Sequence, residues 1–207
     1  MKSPEKSMKK VFFNDCTFYV SQKVYEPAED TFLLAENLVV DENDIVLDVG
    51  TGCGILGILA AKKAKKVVAT DINPYAVSCV QMNARQNGVL AKIDIRLGNL
   101  FEPIKPNEKF DVIIFNAPYL PTSESEKKSW IGKAWAGGQG GRDIIEPFVS
   151  EVPKYLKEKG RIFLVQSSLS DVDKTIRRFK ESGLDAAIIA EKKFPFETIV
   201  VIRAVFH

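Results

Sequence analysis

The fold is decided by the stretch Asp48-Val49-Gly50-Thr51-Gly52-Cys53-Gly54, which joins an apolar run to a helical pattern. The run before it, residues 45–49, is short and β-branched, as is typical of a buried strand, and residues 55–64 have a helical pattern. The glycines between them let the backbone turn sharply and approach a ligand closely, and the N-terminus of a helix favours a negative group. The stretch therefore predicts a strand–loop–helix unit with a ligand-binding loop.

The alternation of strands and helices continues towards the C-terminus. We predict further strands at residues 67–70, 93–97, 110–115, 161–166, 187–190 and 198–206, and helices at residues 74–86, 142–156 and 171–182. This order is typical of a doubly wound, mostly parallel α/β sheet. The last two strands have no helix between them and predict an antiparallel hairpin. Ile93–Leu97 alternates with period two, which predicts an edge strand.

The N-terminal part predicts a smaller addition to this core. Residues 11–20 are rich in Phe, Tyr and Val around Asn14-Asp15, which indicates a β-hairpin, and a helix is expected to begin near Pro27. The chain length suits one hydrophobic core. We therefore expect a single domain over residues 1–207, with the hairpin and helix in residues 1–40 and the sheet in residues 41–207.

Composition excludes several classes of function. With 29 basic and 27 acidic residues the net charge is +2, which argues against a dedicated nucleic-acid binder. The only histidine is His207, and the three cysteines have no C-x-x-C spacing, so we expect no metal site and no disulfide. No apolar run is long enough for a membrane span, and the lysine-rich start lacks the apolar segment of a signal peptide. These features predict a soluble cytoplasmic protein.

The glycine stretch fits two kinds of ligand. Residues 52–57 formally match the dinucleotide pattern G-x-G-x-x-G, but Asp48 would place a negative charge near a pyrophosphate. A ligand with a cationic amine or sulfonium would instead be attracted by that carboxylate. Asp71 ends the next strand, where a carboxylate can accept both hydroxyls of a ribose in either case. Simple capping of turns by the two aspartates is the remaining alternative.

A second motif, Asn116-Ala117-Pro118-Tyr119, directly follows the buried strand at residues 110–115. Ligands of open α/β sheets bind at the carboxyl ends of the strands, so the motif is expected to face the glycine loop. The polar, Gly-rich segment of residues 118–141 that follows is longer than most loops, and such segments are usually functional.

The spacing D-x-G-x-G-x-G resembles motif I of the class I S-adenosylmethionine-dependent methyltransferases. The resemblance implies a Rossmann-like, seven-stranded sheet and S-adenosyl-L-methionine as cofactor. It also implies a set of cofactor-binding residues. These are Asp48, Gly50, Gly52, Gly54, Asp71, Asn99 and Leu100, and the narrower resemblance described below adds Thr31 and Asn116. For Asn99, which would contact the adenine amine, and Leu100, which would pack on the ring, a plain Gly-Asn turn is the alternative.

The tetrapeptide resembles motif IV, [DN]-P-P-[YFW], of methyltransferases that act on planar NH2 groups. The resemblance implies that Asn116 and the backbone carbonyl of Ala117 accept the two N–H groups of the substrate and that Tyr119 stacks on the flat group, with Pro118 as a further member of the catalytic motif. Ala117 departs from the pattern, which has proline there. Because the carbonyl belongs to the backbone, we expect the chemistry to survive with a loss of about 0.5–1 kcal/mol of preorganisation.

Two further stretches narrow the resemblance to the HemK-related glutamine N5-methyltransferases, and within them to the archaeal and eukaryotic branch. They are Tyr25-Glu26-Pro27-Ala28-Glu29-Asp30-Thr31 and Trp135-Ala136-Gly137-Gly138, the latter followed by Gly141-Arg142-Asp143. The resemblance implies methylation of the Gly-Gly-Gln glutamine of a class I translation release factor, with nucleic acid involved only indirectly. It also implies a heterodimer with a small zinc-binding activator, docked on the edge strand Ile93–Leu97. An exocyclic amine of RNA or DNA, a protein lysine, or an inactive cofactor-binding scaffold are the alternatives.

Overall fold

The computed structural model describes residues 8–122 and 129–206. The strands within these residues are rich in β-branched and aromatic residues. They are β1 (Lys9–Phe13), β2 (Cys16–Val20), β3 (Ile45–Val49), β4 (Lys66–Asp71), β5 (Ile93–Leu97), β6 (Phe110–Asn116), β7 (Leu156–Ser167), β8 (Leu184–Lys193) and β9 (Thr198–Phe206). The helices are α1 (Glu29–Asn37), α2 (Ile55–Lys63), α3 (Pro74–Gln86), α4 (Trp130–Trp135), α5 (Ile145–Glu151) and α6 (Val172–Glu181). No helix of the described residues is long and apolar enough to cross a bilayer.

Seven strands form one sheet in the order β5-β4-β3-β6-β7-β9-β8. The first five in this order run parallel, whereas β9 is antiparallel to both β7 and β8. The predicted doubly wound sheet with a C-terminal antiparallel hairpin is confirmed, and β5 is an edge strand as expected. The carboxyl ends of β3, β4 and β6 therefore meet at one edge, where the candidate site lies.

The central strands are apolar on both faces because helices cover both sides of a parallel sheet. Residues 46–49 of β3 and 112–115 of β6 are all buried. Burial of their side chains supplies the main stabilisation of the fold, at about 25 cal/mol for each Å² of apolar surface removed from water.

The N-terminal hairpin is the predicted one, with Asn14 at positive φ in its turn. It is attached to the core through α3. The fully buried Asn83 amide accepts a hydrogen bond from Tyr19 N (2.8 Å) and donates to the carbonyls of Tyr19 (2.9 Å) and Cys53 (2.8 Å). Since Cys53 belongs to the glycine loop, one amide joins the hairpin, α3 and the loop.

Several predicted element boundaries differ from the structure. The helix expected at residues 142–156 is α5 followed by a 3-10 turn at Val152–Tyr155, because Pro153 interrupts the hydrogen-bonding pattern while Pro147 lies in the first turn of α5, where no N–H is needed. The N-cap of α6 is Asp171, whose Oδ1 accepts from Lys174 N at 3.0 Å, so the helix begins at Val172, one residue later than predicted. The segment expected to be a loop at residues 118–141 contains α4, and its residues 123–128 lie outside the described residues.

Candidate active site

A cavity of about 420 Å³ opens at the carboxyl edge of the sheet. Its wall combines the predicted glycine loop, the ends of β4 and β6, residues 98–100 and the N-terminal segment that leads into α1. Trp130 and Trp135 of α4 complete the wall. The structure thus brings together at one cavity almost all of the predicted site residues, which are spread over residues 31–119 of the chain. No group of three or more potential metal ligands occurs within residues 8–122 and 129–206.

The glycine loop presents its backbone to this cavity. Gly50 (φ 60°) and Gly52 (φ 59°) adopt the left-handed conformation that glycine reaches without steric cost. A Cβ atom on Gly52 would meet no atom within 4 Å, because this position faces open cavity. On Gly50 it would approach the Phe115 ring to 3.2 Å. The loop therefore leaves room for a ligand to lie directly against its backbone.

Asp48, expected to attract a cationic ligand, lies beneath the loop and not on the cavity wall. Its Oδ2 accepts hydrogen bonds from Thr51 Oγ1 (2.5 Å) and Gly57 N (2.9 Å). Burial raises the pKa of this carboxyl to about 7, although both hydrogen bonds act in the opposite direction. Gly54, the N-cap of α2 (φ 91°), also lies off the wall. Both residues shape the loop in this structure, and the Asp48 carboxyl is directed towards the Thr51 hydroxyl and the first turn of α2 instead of the cavity.

Asp71 reaches the cavity from the end of β4. Its Oδ2 accepts from Gly52 N (2.8 Å) and its Oδ1 from Asn73 N (2.8 Å), so the carboxylate also ties the glycine loop to the start of α3. Burial raises the pKa of Asp71 above its usual value, and these backbone N–H groups lower it. Asn99 and Leu100 lie on the same wall, at the turn after β5. A ligand with a hydroxyl pair and a flat ring would meet a carboxylate first and an apolar side chain beyond it.

Asn116, the last residue of β6, stands opposite the glycine loop with its amide in a fixed orientation. Its Nδ2 donates to Asp30 Oδ2 (3.0 Å) and to Thr31 Oγ1 (3.0 Å). Its Oδ1 is buried and has no hydrogen-bond partner among the described residues. A buried acceptor of this kind is unfavourable unless a ligand supplies the donor. The amide is therefore prepared to receive an N–H or O–H group in the cavity.

The carboxylate of Asp30 is the centre of the hydrogen bonds on this side of the cavity. Besides Asn116, it accepts from the hydroxyls of Tyr25 (3.2 Å) and Tyr119 (3.1 Å) and from Thr31 N (2.6 Å). Burial and the neighbouring Asp30 charge raise the pKa of both tyrosines above the usual value. Both phenols are therefore neutral donors at physiological pH, and the Tyr119 ring is held at the cavity wall.

The chain after Tyr119 is held by the stretch Trp135-Ala136-Gly137-Gly138 and by the Gly141-Arg142-Asp143 that follows it. Leu120 N donates to Trp135 O (3.0 Å) and Gly137 N donates to Leu120 O (2.9 Å), so two segments of the expected loop pair with each other. Gly141, at φ 68°, packs so closely that a Cβ atom there would lie 2.4 Å from Tyr119 O. The glycines of this motif thus allow the backbone after the tetrapeptide to be packed in place.

Two family profiles match parts of the chain that contribute to this cavity. The profile of the family described as ribosomal protein L11 methyltransferase (PrmA) matches residues 31–118, and that of the Eco57I restriction-modification methylase matches residues 81–191. Both matches include Asn116, Ala117 and Pro118 of the tetrapeptide. They indicate a methyltransferase and leave its substrate class open.

Two relatives similar over most of their length decide the family. A putative protein N5-glutamine methyltransferase of Methanocaldococcus jannaschii is 48% identical over 184 residues, which are 88% of this chain and 91% of the relative. The methyltransferase HEMK2 of Homo sapiens is 34% identical over 191 residues, 87% of this chain and 88% of the relative. The chain belongs to the HemK-related protein N5-glutamine methyltransferases.

A solved structure of this methyltransferase family agrees with the fold. It is the E. cuniculi Mtq2–Trm112 complex, described as responsible for the methylation of the eRF1 translation termination factor. The match has a TM-score of 0.70 and 26% identity, and covers 90% of this chain and 100% of the matched one. The Rossmann-like class I methyltransferase architecture expected from the sequence is thereby confirmed.

One residue of this glutamine methyltransferase's site was missed from the sequence. Asp30 belongs to the stretch of residues 25–31 that carried the resemblance, yet an acidic residue in the first turn of a helix has an ordinary explanation in the helix dipole. Its contact with Asn116 joins residues 86 positions apart. A signal was nevertheless available, because Asp30 lies one position before Thr31, which the resemblance placed at the cofactor.

Proposed function

We propose that this methyltransferase transfers a methyl group to the side-chain amide nitrogen of the glutamine in the Gly-Gly-Gln motif of a class I release factor. The observation that supports it most strongly is the buried Oδ1 of Asn116, which has no hydrogen-bond partner among residues 8–122 and 129–206 and belongs to a residue of the cavity wall whose Nδ2 group is already bound. An amide NH2 is a donor of the right kind for this acceptor. The names of the relatives support the same substrate class.

The cavity suits S-adenosylmethionine as the methyl donor. The backbone of Gly50 and Gly52 would hold its amino-acid part, Asp71 the ribose hydroxyls, and Asn99 with Leu100 the adenine, all of them residues on the cavity wall. Thr31 lies on the same wall beside Asn116. When bound, this cofactor supplies an electrophilic methyl group on a sulfonium. Asp48 contributes indirectly in this proposal, by holding Thr51 and Gly57 in the shape that the loop requires.

The chain's own residues overcome the weak nucleophilicity of an amide, whose nitrogen lone pair is delocalised. Asn116 Oδ1 accepts one N–H of the substrate, and the backbone carbonyl of Ala117 accepts the other. Held in this way, the nitrogen can pyramidalise and direct its lone pair along the line of transfer, which is orientation and preorganisation without a strong base. As the new C–N bond forms, the bond between the methyl group and the sulfonium sulfur would break, with its electron pair left on a neutral thioether. The nitrogen then carries an extra proton, which is released to water. Tyr119, buried at the wall, offers its ring face to the planar group.

Ala117 is expected to change the rate of this reaction and not its nature. Ala117 is buried and lies on the cavity wall between Asn116 and Pro118. A proline at this position would restrict φ, but the buried surroundings and the following proline already limit the backbone. Ala117→Pro should therefore raise kcat by no more than about fivefold, consistent with about 0.5–1 kcal/mol of preorganisation.

The role of Asn116 is tested by substituting it with alanine. We expect Asn116→Ala to lower kcat by about 100- to 1,000-fold, as is typical when one preorganised polar group of an active site is removed. Although Asn116 also borders the cofactor part of the cavity, we expect its replacement to change the affinity for S-adenosylmethionine by less than about fivefold. Isothermal titration with the cofactor and single-turnover methyl transfer separate the two effects. Equal rates for the two proteins would contradict the proposed chemistry.

We also propose that a small zinc-binding partner subunit docks on the edge strand β5; that the matched structure is a complex of Mtq2 with Trm112 supports a partner subunit. Leu97, at the end of β5, is 56% exposed, and the neighbouring Ile72 is 48% exposed. Leu97 is thus an exposed apolar side chain at an open sheet edge, which needs a cover or a partner, whereas Ile72 lies on the cavity wall. The polar part of the strand is rigid, since Arg96 NH2 donates to Asp94 (2.7 Å) and its NH1 to Glu108 (2.6 Å).

A further inference from the structure

The Asp30 carboxylate is buried and holds more partners than a helix-terminal acid needs. It accepts hydrogen bonds from Tyr25, Thr31, Asn116 and Tyr119. No lysine or arginine of the described part of the chain forms an ion pair with it. Its charge is therefore balanced by oriented N–H and O–H groups, which are in turn held in one orientation by the carboxylate.

A side-chain amide has two orientations that differ by a half-turn and have almost the same shape. In one of them Asn116 would point its NH2 group into the cavity, towards the NH2 of a substrate. A carboxylate accepts hydrogen bonds and cannot donate them, so Asp30 Oδ2 at 3.0 Å requires that Nδ2 face it. The Oδ1 atom must then point the other way, and it is this atom that is buried with no partner in the part of the chain that the structure describes.

Thr31 is oriented by the same carboxylate. Its hydroxyl donates to Asp30 Oδ1 (3.2 Å), so its lone pairs are free to accept from Asn116 Nδ2 (3.0 Å). Both neighbours of the Asn116 NH2 group are thus acceptors, and both are so because of Asp30. Turning the amide over would place its oxygen against the Asp30 carboxylate, which cannot donate, so at least this hydrogen bond would be lost.

We infer that Asp30 is a positioning residue that fixes the orientation of the Asn116 amide and thereby directs its oxygen to the substrate nitrogen. This inference rests on the proposed function for its effect on catalysis, but the orientation itself is a property of the free protein. Asp30 acts through Asn116 in this role and does not touch the reacting atoms. Tyr119 is positioned in the same way through its hydroxyl.

The test exchanges the two side chains. Asp30→Asn replaces a pure acceptor with a group that also donates, so Asn116 can turn over, and kcat should fall about 10- to 100-fold, as for the loss of a charge-assisted hydrogen bond. Asn116→Asp places two carboxylates in contact and should be impaired as well. In the variant that carries both substitutions, the amide introduced at position 30 can donate to the carboxylate introduced at position 116, whose other oxygen faces the cavity. We expect this double variant to be at least about tenfold more active than the poorer single variant.

Glu36→Gln, an acid-to-amide change on the exposed face of the same helix, is the matched control and should behave as the wild type.

Two measurements accompany the rates. The affinity for S-adenosylmethionine should stay within about threefold in Asp30→Asn. If it falls by the same factor as kcat and the exchange restores nothing, Asp30 only supports the fold and the inference is wrong. In 15N-labelled protein, the side-chain NH2 signal of Asn116, assigned by its absence in Asn116→Asp, should be protected from hydrogen exchange and lose at least about tenfold of this protection in Asp30→Asn. If the wild type methylates no Gly-Gly-Gln protein, the proposed function fails, whereas unchanged protection in Asp30→Asn overturns the positioning role.

Discussion

The buried Asp48 makes a specific prediction about how stability depends on pH. Burial holds the pKa of this carboxyl at about 7, above its usual value of 3.8. The folded protein therefore binds a proton at this site at pH values where the unfolded chain has already released it. Stability is fully present below the unfolded pKa and is lost as the pH rises towards 7, because the folded state binds more protons than the unfolded state in this range.

The size of the effect follows from the two pKa values. Between pH 5 and pH 8 the contribution of Asp48 to the free energy of unfolding should fall by about 2.5 kcal/mol. In Asp48→Asn an amide oxygen in the place of Oδ2 can still accept from both Gly57 N and the hydroxyl of Thr51. The variant should therefore keep the loop and lose this part of the pH dependence.

Urea unfolding of the wild type and of Asp48→Asn at pH 5 and pH 8 measures it, with Glu36→Gln as the control. Relative to the wild type, Asp48→Asn should gain about 2.5 kcal/mol between the two pH values, and Glu36→Gln should gain almost nothing. Parallel pH dependences of wild type and Asp48→Asn would refute the assignment of a neutral, buried carboxyl at this position.

Three other substitutions test separate parts of the structure. Gly141→Ala should lower the free energy of unfolding by about 2–4 kcal/mol in urea titrations, because it places a Cβ atom 2.4 Å from a backbone carbonyl oxygen at φ 68°. Gly140→Ala, where a Cβ atom would meet no atom within 4 Å, should be almost neutral. Equal losses in the two variants would contradict the packing at Gly141. Asp71→Asn should weaken S-adenosylmethionine binding at least about tenfold by calorimetry, and an unchanged affinity would exclude Asp71 from the cofactor site. Leu97→Lys should prevent co-purification with the small partner subunit. Ile188→Lys should not, because the Ile188 side chain, 44% exposed, lies on β8 at the opposite edge of the sheet. The reverse result would place the interface at β8 instead of β5.

The fold was predictable because its signals are local. Strands β3 and β6 are short apolar runs with turn residues at their ends, and α3 has the predicted bounds of residues 74–86, between its Asn73 cap and Gly88. The site was predictable to the same extent, since the carboxyl ends of parallel strands meet at one edge. The position of Asp71 and of Asn116 on one cavity follows from that rule alone.

The direction of individual side chains was not predictable. Asp48 ends a strand at the right edge, yet its carboxylate is directed towards Gly57 because the loop that follows folds back over it. Nothing in the spacing of residues 48–54 distinguishes this from a carboxylate that faces the ligand. Asp30 is the opposite case, since its importance comes from a contact with Asn116 that only the folded chain creates.

The central claim is that the buried oxygen of Asn116 serves the amide of one glutamine in a release factor. The most direct test is to incubate the protein, with its partner subunit, with S-adenosylmethionine and a purified release factor, and to locate the added methyl group by tandem mass spectrometry. We predict one methyl group on the Gly-Gly-Gln glutamine and none on a release factor with alanine at that glutamine. Methylation of that alanine variant, or efficient methylation of bare RNA or DNA with none on the release factor, would contradict the claim.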